Sequence, residues 1–420
     1  MGRRRFGQRG RRAGELEAGA FTNPYQSSTN TEPLSETART PAPKRQRLLA
    51  LDVFRGLTVA GMLLVNDPGT WGAIYPPLEH AEWNGWTPTD VIFPFFLFIV
   101  GVTTHLSLSA RRAEGAGDRA LARQIVRRGA LIVGFGLLMA VFPFFPLERF
   151  THVRIPGVLQ RIGVAYTVAA LISLRATLKQ QVAIAASLLL GYWFVITLVP
   201  VPGSMGGIGA TLNTIPSRTL AAWTDRFLLG GHLWINSVTW DPEGPLSTIP
   251  AIGTAMLGIF AGRWLGEKRP LDERLNGLFA GGALGMMVGL MWNWSFPINK
   301  SLWTSSYVVF TAGMACVSIA TISWIIDVKR VTWWTRPVVI YGINPIIAFV
   351  GSGMMARLIY SVWKVDFHGR PTPVQAVVYE TVFRPWLAPK NASLAFALCF
   401  VLFWYLVLWA LARKNIIFKL

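Results

Sequence analysis

Over the short run from His80 to Asp90 the chain sets out an imidazole, an amide and carboxylates: His80, Glu82, Asn84 and Asp90. An apolar stretch from Val91 to Gly101 follows at once, so these groups stand at the mouth of a segment fit to enter a bilayer. Polar groups at that depth are expensive, because hydrocarbon cannot replace the hydrogen bonds that water supplied. Imidazole titrates near neutral pH, and carboxylate neighbours and burial can set it up as a general base or a nucleophile. His80 is therefore the first catalytic candidate, with Asn66, Asn84 and Asp90 as companions. Trp83 and Trp86 bracket the segment and would anchor it at the membrane interface.

Each of these residues also has a structural use. Thr87-Pro88-Thr89-Asp90 reads as a helix start, with Thr87 as N-cap, Pro88 at the first helical position and Asp90 reaching back as in a capping box. Asn66, ahead of the turn-forming Asp67-Pro68-Gly69, is either a helix-terminal cap or a donor to a reacting oxygen. Asp52 and Arg55, three residues apart, form an intrahelical ion pair or present Arg55 to a phosphate. Arg161 falls a turn inside an apolar run, where a guanidinium either snorkels or needs a partner or ligand. Asp241 and Glu243 exceed what their Pro- and Gly-rich turn requires. Asn299 opens a further span, and Asn344-Pro345 breaks another.

The elements that must position these side chains are helices in a membrane. The chain has 420 residues, of which 52% are hydrophobic and only 15% charged. Its mean hydropathy is +0.41. A soluble protein of this length would need more charge to cover its surface, and the apolar runs are long and continuous where barrel strands would be short and alternating. The fold class expected is all-α, a polytopic transmembrane bundle of about ten helices. The runs fall at 49–66, 91–110, 129–146, 157–174, 181–200, 248–265, 276–293, 303–326, 337–360 and 393–412.

The net charge of +19 does not point to nucleic acid, because Lys and Arg collect in short segments between apolar runs, as the positive-inside rule predicts. Those segments alternate so that both termini are cytoplasmic and the loops 67–90, 147–156, 201–247, 294–302 and 361–392 face outward. Residues 376–389, with Glu380, Arg384 and Pro385, make a poor span and are expected to re-enter or lie at the interface. Residues 1–47 are basic and polar, with no early apolar run, and are expected as a disordered cytoplasmic tail ahead of a membrane domain over 48–420. Cys316 and Cys399 lie inside apolar spans and offer neither a disulfide framework nor a metal site.

Five ordered stretches, LDVFRGLTVAGMLLVN, HAEWNGWTPTDVIFPFFLFIVG, RIPGVLQRIGVAY, DPEGPLSTIPAIGTAMLGIFAG and PINKSLWTSS, resemble the heparan-alpha-glucosaminide N-acetyltransferase family, from about residue 48 to 412. The resemblance implies a transmembrane acyltransferase fold that moves an acetyl group from cytosolic acetyl-CoA to a glucosamine amine across the membrane, with no metal. It places the active-site histidine at His80, as base or acetyl carrier, and the asparagine of the first core helix at Asn66. On this reading Arg55, Arg154, Arg161 and Asn344 serve the cofactor, while Glu82, Trp83, Asp241, Glu243 and Asn299 serve the acceptor. The expected partners are a small-molecule or glycan acceptor and membrane lipid in the cytoplasmic membrane, with homodimerisation left open. The alternative class is a transporter or channel for a small polar solute, its intramembrane polar groups lining a path.

Overall fold

The computed structural model describes residues 48–418 apart from 146 and 206; the tail expected over 1–47 lies outside the described residues. Among them, ten helices are long and apolar enough to cross a membrane. The first five are α1 (Leu49–Asn66), α2 (Ile92–Ala113), α3 (Asp118–Val141), α4 (Val158–Arg175) and α5 (Leu178–Leu198). Two short helices, α6 (Gly209–Leu212) and α7 (Leu220–Leu229), interrupt the long loop before α8 (Pro245–Gly266). Then come α9 (Leu271–Trp292), α10 (Ser305–Ser323), the short α11 (Thr335–Ile343) and α12 (Pro345–Arg357). A short α13 (Val374–Val378) and the closing α14 (Pro389–Arg413) complete the set. The protein is an all-α integral membrane protein. Leu190, Phe194, Leu290, Leu402 and Leu406 are among the large apolar side chains left exposed on its spanning helices, as a lipid-facing surface requires.

Four local outcomes depart from the sequence reading or refine it. Helix α3 begins at Asp118, a full three turns before the apolar run, because its basic first half continues the helix. The expected span over 337–360 is cut at Asn344, where Pro345 has no N–H to donate and α12 starts afresh. The segment from Val374 to Phe383 is helical but reaches only about 15 Å, half of a hydrocarbon core. Before it, a hairpin pairs Lys364–Phe367 with Arg370–Pro373 in a region read as plain loop.

The site is fixed by the crossing of α2 and α8, whose backbones touch. A Cβ on Gly101 would lie 2.1 Å from the carbonyl oxygen of Ala255, and one on Gly258 would lie 2.2 Å from that of Phe98. Gly258 and Gly262 form the small-residue spacing that lets membrane helices approach closely. Around this crossing Leu97, Ile162, Ala251, Met256, Trp303 and Tyr307 pack into one buried cluster. The N-terminal ends of α2, α4, α8 and α10 are thereby brought together.

Candidate active site

The segment before α2 folds by the start signal that its sequence carries. Pro88–Val91 form a single 3-10 turn, and the Asp90 N–H donates to the Thr87 carbonyl at 2.9 Å. The Thr87 N–H returns a bond to Asp90 Oδ2 at 3.1 Å, and the Ala81 N–H adds a second at 3.0 Å. That leaves Oδ1, which lies 2.7 Å from Nδ1 of His80. Capping and orienting are not competing uses of Asp90, since one oxygen serves each.

Asp90 is 1% exposed, whereas the His80 side chain is 47% exposed. With Nδ1–H donated to the carboxylate, the lone pair of the half-exposed imidazole sits on Nε2. A third group completes the cluster. Lys300 Nζ lies 3.3 Å from Asp90 Oδ1, 3.0 Å from His80 Nδ1 and 3.3 Å from Nε2. Burial lowers the Lys300 pKa against the raising pull of Asp90 and Glu243. The Tyr307 hydroxyl, fully buried, donates to the Asp90 main-chain carbonyl at 2.5 Å and ties the segment to α10.

Lys300 reaches His80 because two loops are stitched together. The Gly85 N–H donates to the Ile298 carbonyl at 2.7 Å, and Asn299 Nδ2 donates to Asn84 Oδ1 at 3.2 Å. Gly85 has φ +100°, a conformation that favours glycine. Asn299 is 0% exposed, and its Oδ1 accepts the Leu302 N–H, so it builds the turn and does not face an acceptor. Asn84 is exposed beside it. Trp83 donates Nε1 to the Asn213 carbonyl at 2.6 Å and packs edge-on against Trp240, tying the long loop between α5 and α8 to the site. Glu82 is exposed nearby, and Asn66 is exposed at the end of α1 with no hydrogen bond to His80, Asp90 or Lys300.

The four residues expected at the cofactor do not form one site. Arg55 pairs with Asp52 at 3.0 Å near the start of α1. Arg154 is instead a structural cation: it forks onto Asp241 at 2.7 and 2.6 Å and also binds Glu243, so these two carboxylates hold it rather than an acceptor. Arg161, 2% exposed, lies under Trp303 and donates to Ser247 Oγ at 2.5 Å. It does not snorkel, because the start of α8 supplies its partners, although Nε and one terminal nitrogen find none among the described residues. The antiparallel succession puts Arg55 and Arg161 at opposite ends of the bundle. Asn344, 1% exposed, spends its amide on the chain's own C-terminal segment, donating to the Ile416 carbonyl and accepting the Phe418 N–H, each at 2.9 Å.

Sequence reasoning passed over Lys300 and Tyr307. Lys300 stands in the PINKSLW stretch, but a lysine in an outward loop reads as solvated, and only the fold carries it across to His80.

These features define a class: a polytopic helical membrane protein with a carboxylate–imidazole–ammonium cluster at one end of its bundle. Residues 47–280 match the family model described as "Heparan-alpha-glucosaminide N-acetyltransferase, catalytic". The chain belongs to that family. It is 32% identical to heparan-alpha-glucosaminide N-acetyltransferase of Mus musculus over 394 residues, which is 81% of this chain and 58% of the mouse protein. Against the Homo sapiens protein of the same name it is 32% identical over 368 residues, 76% of this chain and 54% of the human one. The chain thus spans little more than half the length of these relatives. His80 and Asp90 lie inside the family match, and Lys300 lies beyond it.

Proposed function

We propose that this protein is a transmembrane N-acetyltransferase that takes an acetyl group from acetyl-CoA on the cytoplasmic side and gives it to an amine of amino-sugar type on the other. One observation carries the reading: a buried carboxylate holds His80 by Nδ1, so that the Nε2 lone pair is left to face the Lys300 ammonium at the end of the bundle where α2 begins. The family's name supplies the acetyl group and the class of acceptor.

The chemistry asks for a base on the acceptor side. As the acceptor nitrogen bonds to the acetyl carbon, the bond from that carbon to sulfur breaks and the thiolate departs. The nitrogen's proton passes to His80 Nε2, and Asp90 stabilises the imidazolium that results. At the opposite end, Ser107, Arg111, Gln124, Arg128 and Tyr166 line a small cleft among α2, α3 and α4. Its guanidinium groups suit the phosphates of the donor, on the side that the basic loops mark as cytoplasmic. The same rule supports a cytoplasmic position for the described C-terminal segment, and the reading takes the membrane to be the cytoplasmic one.

The test is the full chain in lipid vesicles, given acetyl-CoA and glucosamine, with N-acetylglucosamine read by mass. His80→Ala should abolish product while acetyl-CoA affinity stays within a few-fold. Full turnover in that variant removes His80 from the reaction, and sugar flux without product would return the protein to the transporter class.

A further inference from the structure

We propose that Lys300 is a catalytic residue, the donor that holds the acyl oxygen as the acetyl group changes partners at His80. The inference rests on the acetyl-transfer reading above. Its ground is position: Nζ stands 3.3 Å from His80 Nε2, so an acyl group brought to that nitrogen carries its oxygen within reach of the ammonium. No other side-chain donor has a hydrogen bond to His80 among the described residues: Asn84 turns its Oδ1 to the Asn299 amide, Arg161 lies buried under Trp303 with Ser247 as partner, and Asn66 has no bond into the cluster.

The loop around Lys300 is built to hold still. Asn299 N–H donates to Thr304 Oγ1 at 3.0 Å, the Thr304 hydroxyl donates to the Pro297 carbonyl at 2.9 Å, and Trp303 Nε1 donates to Thr254 Oγ1 at 3.0 Å. A donor fixed before the reaction needs no reorganisation when charge appears, which is what makes such groups effective. When the acceptor nitrogen bonds to the acyl carbon, the π pair of the carbonyl moves onto oxygen, where the Nζ–H donates. The pair returns as the carbon–sulfur bond breaks, the proton from nitrogen goes to His80, and Lys300 keeps its own throughout.

A role for the ammonium makes the alkaline limb of the pH profile diagnostic. The charged or titratable groups facing Lys300 are Asp90 and His80, with Glu243 and Arg161 acting through space. Burial disfavours its charge, so the active form is lost below the ordinary lysine value of about 10.4 as pH rises.

The experiment measures initial rates of the full-length protein with acetyl-CoA and glucosamine across pH, with thioester hydrolysis subtracted. Lys300→Met should lower kcat by about 10²–10³-fold, as loss of one such donor does, and leave acetyl-CoA affinity within threefold. Lys300→Arg should keep measurable turnover and carry the alkaline limb upward by a pH unit or more. A Lys300→Met enzyme within threefold of the parent overturns the proposal, as does a limb unmoved in Lys300→Arg. Acetylation of Lys300 itself during turnover, seen as an acetyl mass on its peptide, also overturns it by making the group a neutral nucleophile. Should Lys300→Met fail to fold, the parent and Lys300→Arg limbs decide alone. An inactive His80→Ala beside a fully active Lys300→Met refutes only this role, whereas an active His80→Ala refutes the reading beneath it.

Discussion

Asp90 Oδ1 faces His80 Nδ1 at 2.7 Å while its second oxygen closes the turn that starts α2, so the orientation of the imidazole is fixed by a helix start. Helix and base are coupled through one side chain. The arrangement gives rigidity that a loop histidine would otherwise lack, and it sets the tautomer at the same time.

Asp90→Asn separates these uses. The amide still reaches the Thr87 and Ala81 N–H groups through its oxygen, so the turn survives, but its NH₂ then meets Nδ1. That forces the ring proton onto Nε2 and removes the base. Acetyl transfer should fall by about 10³–10⁴-fold with a melting temperature close to the parent's, read by product formation and by thermal unfolding in detergent. Activity within tenfold of the parent would mean that the carboxylate does not set the tautomer.

The spans were legible because length and apolarity alone identify them, and the Thr87-to-Asp90 signature announced the start of α2. What escaped was long-range. Lys300 meets His80 across 220 residues, and Arg154 meets Asp241 across 87, distances over which charge patterning in one sequence carries no signal. Arg154, Asp241 and Glu243 each looked like a ligand group in search of a substrate, and they turn out to satisfy one another. The basic half of α3 was lost for the opposite reason: Arg119, Arg123 and Arg127 lower the apolar average without breaking the helix.

The Arg154 cluster makes a claim about stability. Its fork neutralises Asp241, whose side chain is 0% exposed, and Glu243, at 10%. Arg154→Ala would strand two carboxylates, at about 2–4 kcal/mol once the partial exposure of the arginine is allowed for. Arg154→Lys should recover only part of this, because an ammonium cannot reproduce the two parallel bonds. Thermal unfolding of the three proteins checks the order, and equal stability of parent and Arg154→Ala would show that the network carries no weight.

Asp67 presents the reverse case, a carboxyl group with no cation beside it among the described residues. It is 4% exposed at the end of α1, and burial pushes its pKa from 3.8 up to about 8. The native state therefore keeps a proton that the unfolded chain has released between these values. Stability falls as pH rises from 4 toward 8, by at most about 1.4 kcal/mol per unit, and levels off above. Asp67→Asn mimics the protonated acid and escapes that loss. The variant should melt with the parent at pH 4 and progressively above it as pH approaches 8. A difference between the two that stays constant across this range would show that Asp67 is ionised in the fold, and that a counter-charge reaches it.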